Sequence, residues 1–360
     1  MNYEKPDRMP AVHFGFTPEV VEKWVREGHV SKDILDLEEY SFEAEAILSE
    51  KLGFDFGWHA NRITTTELFP FFEEKVVEHL DNGFDKYLNC DGVFVLQRTG
   101  AKSIPAEVDH LLTDRDSWEK HYLPRLTYTE ERFSQAELEY AKTEQAKGLP
   151  IGLHCGSLCG RIRDYLGIVG LSYLMADDEE LLEEMFRTVG DLCYHSVKRT
   201  LETGVQFDYA HFWEDVCYKN GPLLSPVMFE EYTAPYYKKI TDLLNTHHIS
   251  IISVDCDGLV DSLLPAWLEN GVNTMFPIEV GTWDASISPW RAKYGKQVKG
   301  IGGMRKHLLS LDYAAIDEEI QRLKPMAEEL GYIPCPDHRI PEDAKWEIVQ
   351  YYCERVKDIV

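Results

Sequence analysis

The sequence predicts an α/β fold built on parallel βα units. Two observations carry this: short apolar, β-rich runs alternate with longer stretches of helical periodicity, and several of those runs lead straight into a Gly, Asp, Glu or His cluster. A length of 360 residues admits one large α/β barrel as readily as two smaller domains.

The strands expected in order lie at 11–16, 151–155, 207–212, 249–254, 274–278, 298–301 and 332–335. Between them, 179–203 places Leu181, Leu182, Met185, Phe186, Val189 and Leu192 at helical spacing and stops at Gly204, where a capping glycine belongs. Further helices are expected over 226–247, with Pro235 as a break or kink, over 260–269, and over 312–330, the last followed by Gly331. The segment 81–103 (DNGFDKYLNCDGVFVLQRTGAKS) alternates and holds turn residues, so it reads as a β-hairpin inserted into the α/β rhythm.

Apolar residues make up 44% of the chain and aromatic residues 12%, enough for a sizeable core. Against 37 Lys and Arg stand 63 Asp and Glu, a net charge of −26. That balance disfavours attraction to phosphate backbones or anionic lipid, so neither nucleic acid nor a membrane is an expected partner. No apolar stretch approaches the roughly 18 residues of a membrane span. The start, MNYEKPDRMP, lacks a basic segment followed by an apolar run, and a cytoplasmic location is expected. The eight scattered cysteines read as buried or chemical thiols rather than a disulfide framework.

Catalytic groups of a parallel barrel project from the C-terminal ends of its strands. The polar residues following the expected strands include Glu214 and Asp215, then Asp255 and Asp257, then Glu279, and finally His338. Asp255, Asp257, Glu279 and His338 together offer O and N ligands for a divalent metal; the alternative is that they cap helices or pair with Arg305 and Arg339. Glu214 and Asp215 either act as acid or base beside substrate or hold their loop through Lys219. His154, Cys155 and Cys159 have a metal-compatible spacing, but one thiol points away from His154 and no second cluster accompanies them, so a structural role is expected. Trp58, Phe212, Trp213, Tyr218 and Trp283 either stack on an aromatic substrate or pack the barrel and its loops.

The stretches WEDVCYKNGPLLSPVMFEEYTAPYYKKI (213–240), VDCDGLVDSLLPAWLENGVN (254–273), PIEV (277–280), GIGGM (300–304) and GYIPCPDHRIPED (331–343) resemble the uroporphyrinogen decarboxylase-like superfamily. The resemblance implies a single (β/α)8 barrel over 1–360, with an N-terminal extension and the hairpin as an insertion. True uroporphyrinogen decarboxylases begin with an Arg-Gln-Ala-Gly-Arg motif that holds substrate carboxylates. Here the first strand reads AVHFGF, without that arginine. A substrate bearing eight carboxylates needs a basic cleft, so porphyrinogen decarboxylation is placed second.

The other branch consists of methyltransferases working with a corrinoid carried by a partner protein. Its thiol-methylating members bind zinc through a His-x-Cys pair and a later Cys. In this sequence those three positions correspond to Asp255, Asp257 and His338. Replacing thiolates by O and N donors leaves Zn2+ more electrophilic, which suits polarising an ether or alcohol oxygen. The expected activity is therefore methyl transfer from a small methylated substrate to a corrinoid-binding protein, with Asp257, His338, Glu214 and Asp215 as catalytic groups. The rivals are a carboxy-lyase acting on another acid, with Arg161, Arg163, Arg305 and Arg339 as carboxylate binders, and a non-catalytic small-molecule-binding subunit.

Overall fold

The computed structural model of the chain describes residues 1–37, 41–81, 83–98 and 105–360. Its centre is a parallel α/β barrel. Six strands form one parallel sheet in the order β14-β13-β12-β11-β8-β7: β7 (Gly152–Gly156), β8 (Tyr209–Trp213), β11 (Ile252–Asp255), β12 (Thr274–Ile278), β13 (Lys299–Met304) and β14 (Tyr332–Pro336). A parallel pair, β1 (Val12–His13) and β2 (Phe56–Gly57), fills the gap. Single parallel bridges link the segments that follow these strands to their neighbours, Phe16 to Ile340 just beyond β14 and Asn61 to Leu153 of β7. The fold is thus the (β/α)8 barrel expected.

Every strand of the six-stranded sheet was legible in the sequence, and so was β1. The missing one, β2, is only two residues long. It is set by pairing with β1 rather than by an apolar run of its own, so it leaves no periodic signal.

The outer layer is helical. The helix Glu179–Leu201 buries the stripe anticipated for it, and the Asp178 carboxylate accepts the Leu181 N–H at 3.0 Å to cap its start. The helix Pro226–Thr246 runs unbroken through Pro235. The helix expected from 260 begins later, at Leu264–Glu269, with a proline in its first turn where no N–H is needed.

The inserted element is larger than a hairpin. It is an antiparallel sheet in the order β3-β4-β5-β6, comprising β3 (Lys75–His79), β4 (Phe84–Leu88), β5 (Val93–Arg98) and β6 (Ala106–His110). Of the expected hairpin, residues 82 and 99–103 lie outside the described residues. The outer strands were missed because their residues are almost all exposed, so no face alternates clearly. A small hairpin, β9 (Cys217–Tyr218) with β10 (Gly221–Pro222), decorates the loop after β8. Among the described residues no helix is long and apolar enough to cross a membrane, and all eight cysteines are free.

Candidate active site

Because the barrel strands are parallel, the loops after β8, β11, β12 and β14 open at one end, and the residues following them meet there. A cavity of about 660 Å3 lies inside that opening. Asp215, Asp255, Asp257 and His338 line it. One carboxylate oxygen from each of Asp215, Asp255 and Asp257 lies within 4.8 Å of the others. His338 Nε2 stands 3.4 Å from Asp257 Oδ2, and its ring meets the edge of Phe14 with centroids 4.9 Å apart.

The loops are shaped to make this meeting. Asp215 adopts a left-handed backbone (φ 46°), a conformation a non-glycine residue holds only when its surroundings demand it, and its Oδ1 accepts the Asp257 N–H at 3.0 Å. Gly258 then turns with φ 88°; a Cβ there would stand 2.8 Å from the Cys217 backbone, so only glycine lets the two loops touch.

Charge crowding follows. Burial, then the neighbouring Asp257, pushes Asp215 up to about 6. Asp255 is raised well above the usual carboxylate range by burial and by Asp215 and Asp257. It is only 7% exposed, and no hydrogen bond to its carboxylate is among those described. Asp257 Oδ1 is buried without a partner.

Two of the sequence-predicted acids sit elsewhere. Glu279 turns aside: its Oε2 accepts the Gly258 N–H at 2.6 Å and its Oε1 the Thr282 hydroxyl at 2.8 Å, so it braces the β11 loop and does not line the cavity. Burial, with Asp257 second, raises it. Glu214 is fully buried below the loops. It accepts the Leu158, Cys159 and Gly160 N–H groups at 2.9, 2.8 and 2.9 Å, together with the Ser157 and Tyr237 hydroxyls. An anion placed there satisfies the start of the helix Gly160–Asp177. Lys219, the partner weighed for these acids, is not needed by either.

The opposite wall went unforeseen. Glu45, His59 and Arg62 line the cavity, as do His154 and His211. Glu45 is pushed up to about 7 by burial, an effect that Arg339 opposes. His59 Nδ1 stands 3.8 Å from Glu45 Oε2, and burial lowers this imidazole to about 4. His154 and His211 face each other across paired positions of β7 and β8, and burial, then Arg62, holds both imidazoles neutral. Two histidines at matching strand positions were the available signal. Of the His154, Cys155 and Cys159 group, His154 lines the cavity, whereas Cys155 and Cys159 are buried and do not.

Of the four arginines weighed as carboxylate binders, only Arg339 reaches the cavity. Arg161 is held by Glu67 at 2.5 Å, Arg163 by Asp164 at 3.1 Å and Arg305 by Glu319 at 3.5 Å. Among the aromatics, Trp58 and Trp213 line the cavity. Phe212 packs against Tyr237, Trp283 against Trp290, and Tyr218 lies exposed on the hairpin.

Residues 163–359 match the family model described as uroporphyrinogen decarboxylase (URO-D). The chain belongs to the URO-D family. Among solved structures, it resembles a methyltransferase from Methanosarcina mazei at 16% identity and a TM-score of 0.59, covering 99% of this chain and 95% of that one. It also resembles a B12-independent methionine synthase from Shewanella sp. W3-18-1 at 10% identity and a TM-score of 0.50, covering 97% and 96%. Likeness at these identities reports the barrel. No curated protein matches the sequence.

Proposed function

We propose that this URO-D family chain is a methyltransferase that takes a methyl group from a small methylated substrate, a methyl ether being the expected class, and passes it to a corrinoid carried by a separate protein. The observation that carries the reading is the meeting of three carboxylates and an imidazole at one point of a cavity sized for a small molecule. The donor set fits a divalent ion such as Zn2+. Like charges crowded together in a partly buried site are costly unless a cation joins them, and Asp257 Oδ1 is buried without a donor. Asp215, Asp255 and Asp257 would hold it, with His338 beside them. When bound, the ion supplies Lewis acidity that makes the departing oxygen a better leaving group.

The chain's own residues do the rest. As the methyl group is transferred, the released oxygen needs a proton; Glu45, pushed up to about 7 by burial, is partly protonated at neutral pH and stands on the facing wall. Trp58 and Trp213 line the cavity and offer apolar ring faces to the substrate body. A second reading, a carboxy-lyase acting on a small acid, is favoured by Arg62 and Arg339 at the cavity, where they suit a substrate carboxylate.

The deciding experiment measures metal in protein purified without chelator. It then offers metal-loaded protein methyl ethers with free cob(I)alamin and, separately, carboxylated substrates. Near-stoichiometric zinc and formation of methylcobalamin are expected, with no conversion of uroporphyrinogen. Metal content that does not rise on adding Zn2+, together with CO2 release from a carboxylated substrate, overturns methyl transfer in favour of the second reading.

A further inference from the structure

Away from the cavity, a groove of about 720 Å3 runs between the inserted sheet and the helix Gly160–Asp177. Its sheet side is β6, which among the described residues pairs with β5 alone and so ends the sheet. Successive residues of β6, Glu107 to His110, all line the groove. Side chains of a strand alternate between faces, so a groove touching every residue in turn follows the free edge.

Its helix side is broken open. The helix leaves helical geometry at Gly167 (φ 63°, ψ 169°), where the His110 ring packs so closely that any Cβ would stand 2.3 Å from Nε2. Past the break apolar side chains face water: Ile168, Val169 and Tyr173 are 41%, 68% and 67% exposed, and Val108 across the groove is 47% exposed. A contiguous strip of this kind is the usual mark of a surface that is covered in use. The rim is acidic, carrying Glu107, Asp109, Asp114, Asp177 and Asp178. The one arginine lining the groove, Arg115, is already held by Glu184 at 2.9 Å and by Asp178 at 3.8 Å.

We propose that this groove docks a partner protein through a basic segment bearing apolar side chains, the apolar groups covering Ile168, Val169 and Tyr173 and the Lys or Arg groups meeting the acidic rim. A second copy of this chain is the wrong occupant, since a molecule of charge −26 brings like charge to that rim.

The probe is a fluorescein-labelled amphipathic Leu/Lys peptide, titrated with the full chain at about 0.15 M salt and read by anisotropy. Saturable binding is expected. Val169→Ser with Tyr173→Ser keeps the charge, Asp109→Asn with Asp177→Asn keeps the apolar strip, and each pair should weaken binding at least about tenfold. Glu318→Gln, on an exposed surface elsewhere, should leave it unchanged. Absence of saturable binding, or loss with only one of the two pairs, overturns the proposal. Equal affinity across all variants does so too, because it would report diffuse attraction to the net charge.

Discussion

Two buried carboxylates stand at the ends of adjacent strands, and the chain treats them in opposite ways. Glu214, after β8, collects three backbone N–H groups and two hydroxyls. Asp255, at the end of β11, faces two other acids, and none of the described hydrogen bonds reaches its carboxylate. Burial raises both from their ordinary value. A satisfied buried anion ties elements together, whereas an unsatisfied one is a cost the fold carries for a ligand. Both are carboxylates at strand ends, so the number of donors distinguishes the structural acid from the one proposed to face a ligand.

Three measurements can break or sharpen that contrast. Glu214→Ala is expected to have the largest effect, losing about 3–5 kcal/mol in denaturant unfolding, because it strands a helix start and two hydroxyls in a dry interior. A loss below about 1 kcal/mol would place Glu214 among the ligand-facing acids instead.

Asp255→Asn should act in the other direction. In metal-free protein at neutral pH it relieves repulsion and is expected to stabilise by about 1–2 kcal/mol. Its pH signature has a definite sign. A carboxylate whose folded value is raised contributes stability that is complete below its unfolded value and is lost as pH rises through the folded one. For Asp215, ordinarily 3.8 and here about 6, that window runs across mildly acidic pH. The melting temperature of the metal-free wild type should fall through this window, and the Asp255→Asn chain should fall less. A wild-type melting temperature that is flat across the window would show the three acids uncoupled.

His338→Ala is expected to have the smallest effect on stability, within about 0.5 kcal/mol, since a mouth residue contributes little to the core. Bound metal should nevertheless drop markedly in elemental analysis. Unchanged metal would leave the three carboxylates as the whole donor set.

The acidic wall was legible in the sequence because Asp215, Asp255, Asp257 and His338 each follow an apolar run that becomes a barrel strand. Convergence itself was not, since it depends on the left-handed backbone of Asp215 and the close approach at Gly258. Glu279 shares the pattern of the others yet turns away, a choice made by the Gly258 N–H and the Thr282 hydroxyl that no spacing encodes. The facing wall was hidden for two reasons. Glu45 sits on the helix Phe42–Leu52 rather than at a strand end, and His59 and Arg62 follow the strand too short to be read. The inserted sheet was only half visible, because strands that bury neither face carry no alternation.

The barrel's lacing is uneven, and the unevenness bears on how the cavity fills. β13 and β14 pair over five positions, whereas β1 and β2 are joined to their outer neighbours by one bridge on each side. Among the described residues each of those seams is held by two main-chain hydrogen bonds, Thr17 to Ile340 with Ile340 to Gly15, and Asn61 to Gly152 with His154 to Asn61. The staves carrying His13 and leading to His59 and Arg62 are therefore the ones that can part while the six-stranded sheet stays whole. Breathing at these seams would widen the cavity from the side of His59 and Arg62 and leave Asp215, Asp255 and Asp257 fixed, so that one wall works as a door and the other as an anvil.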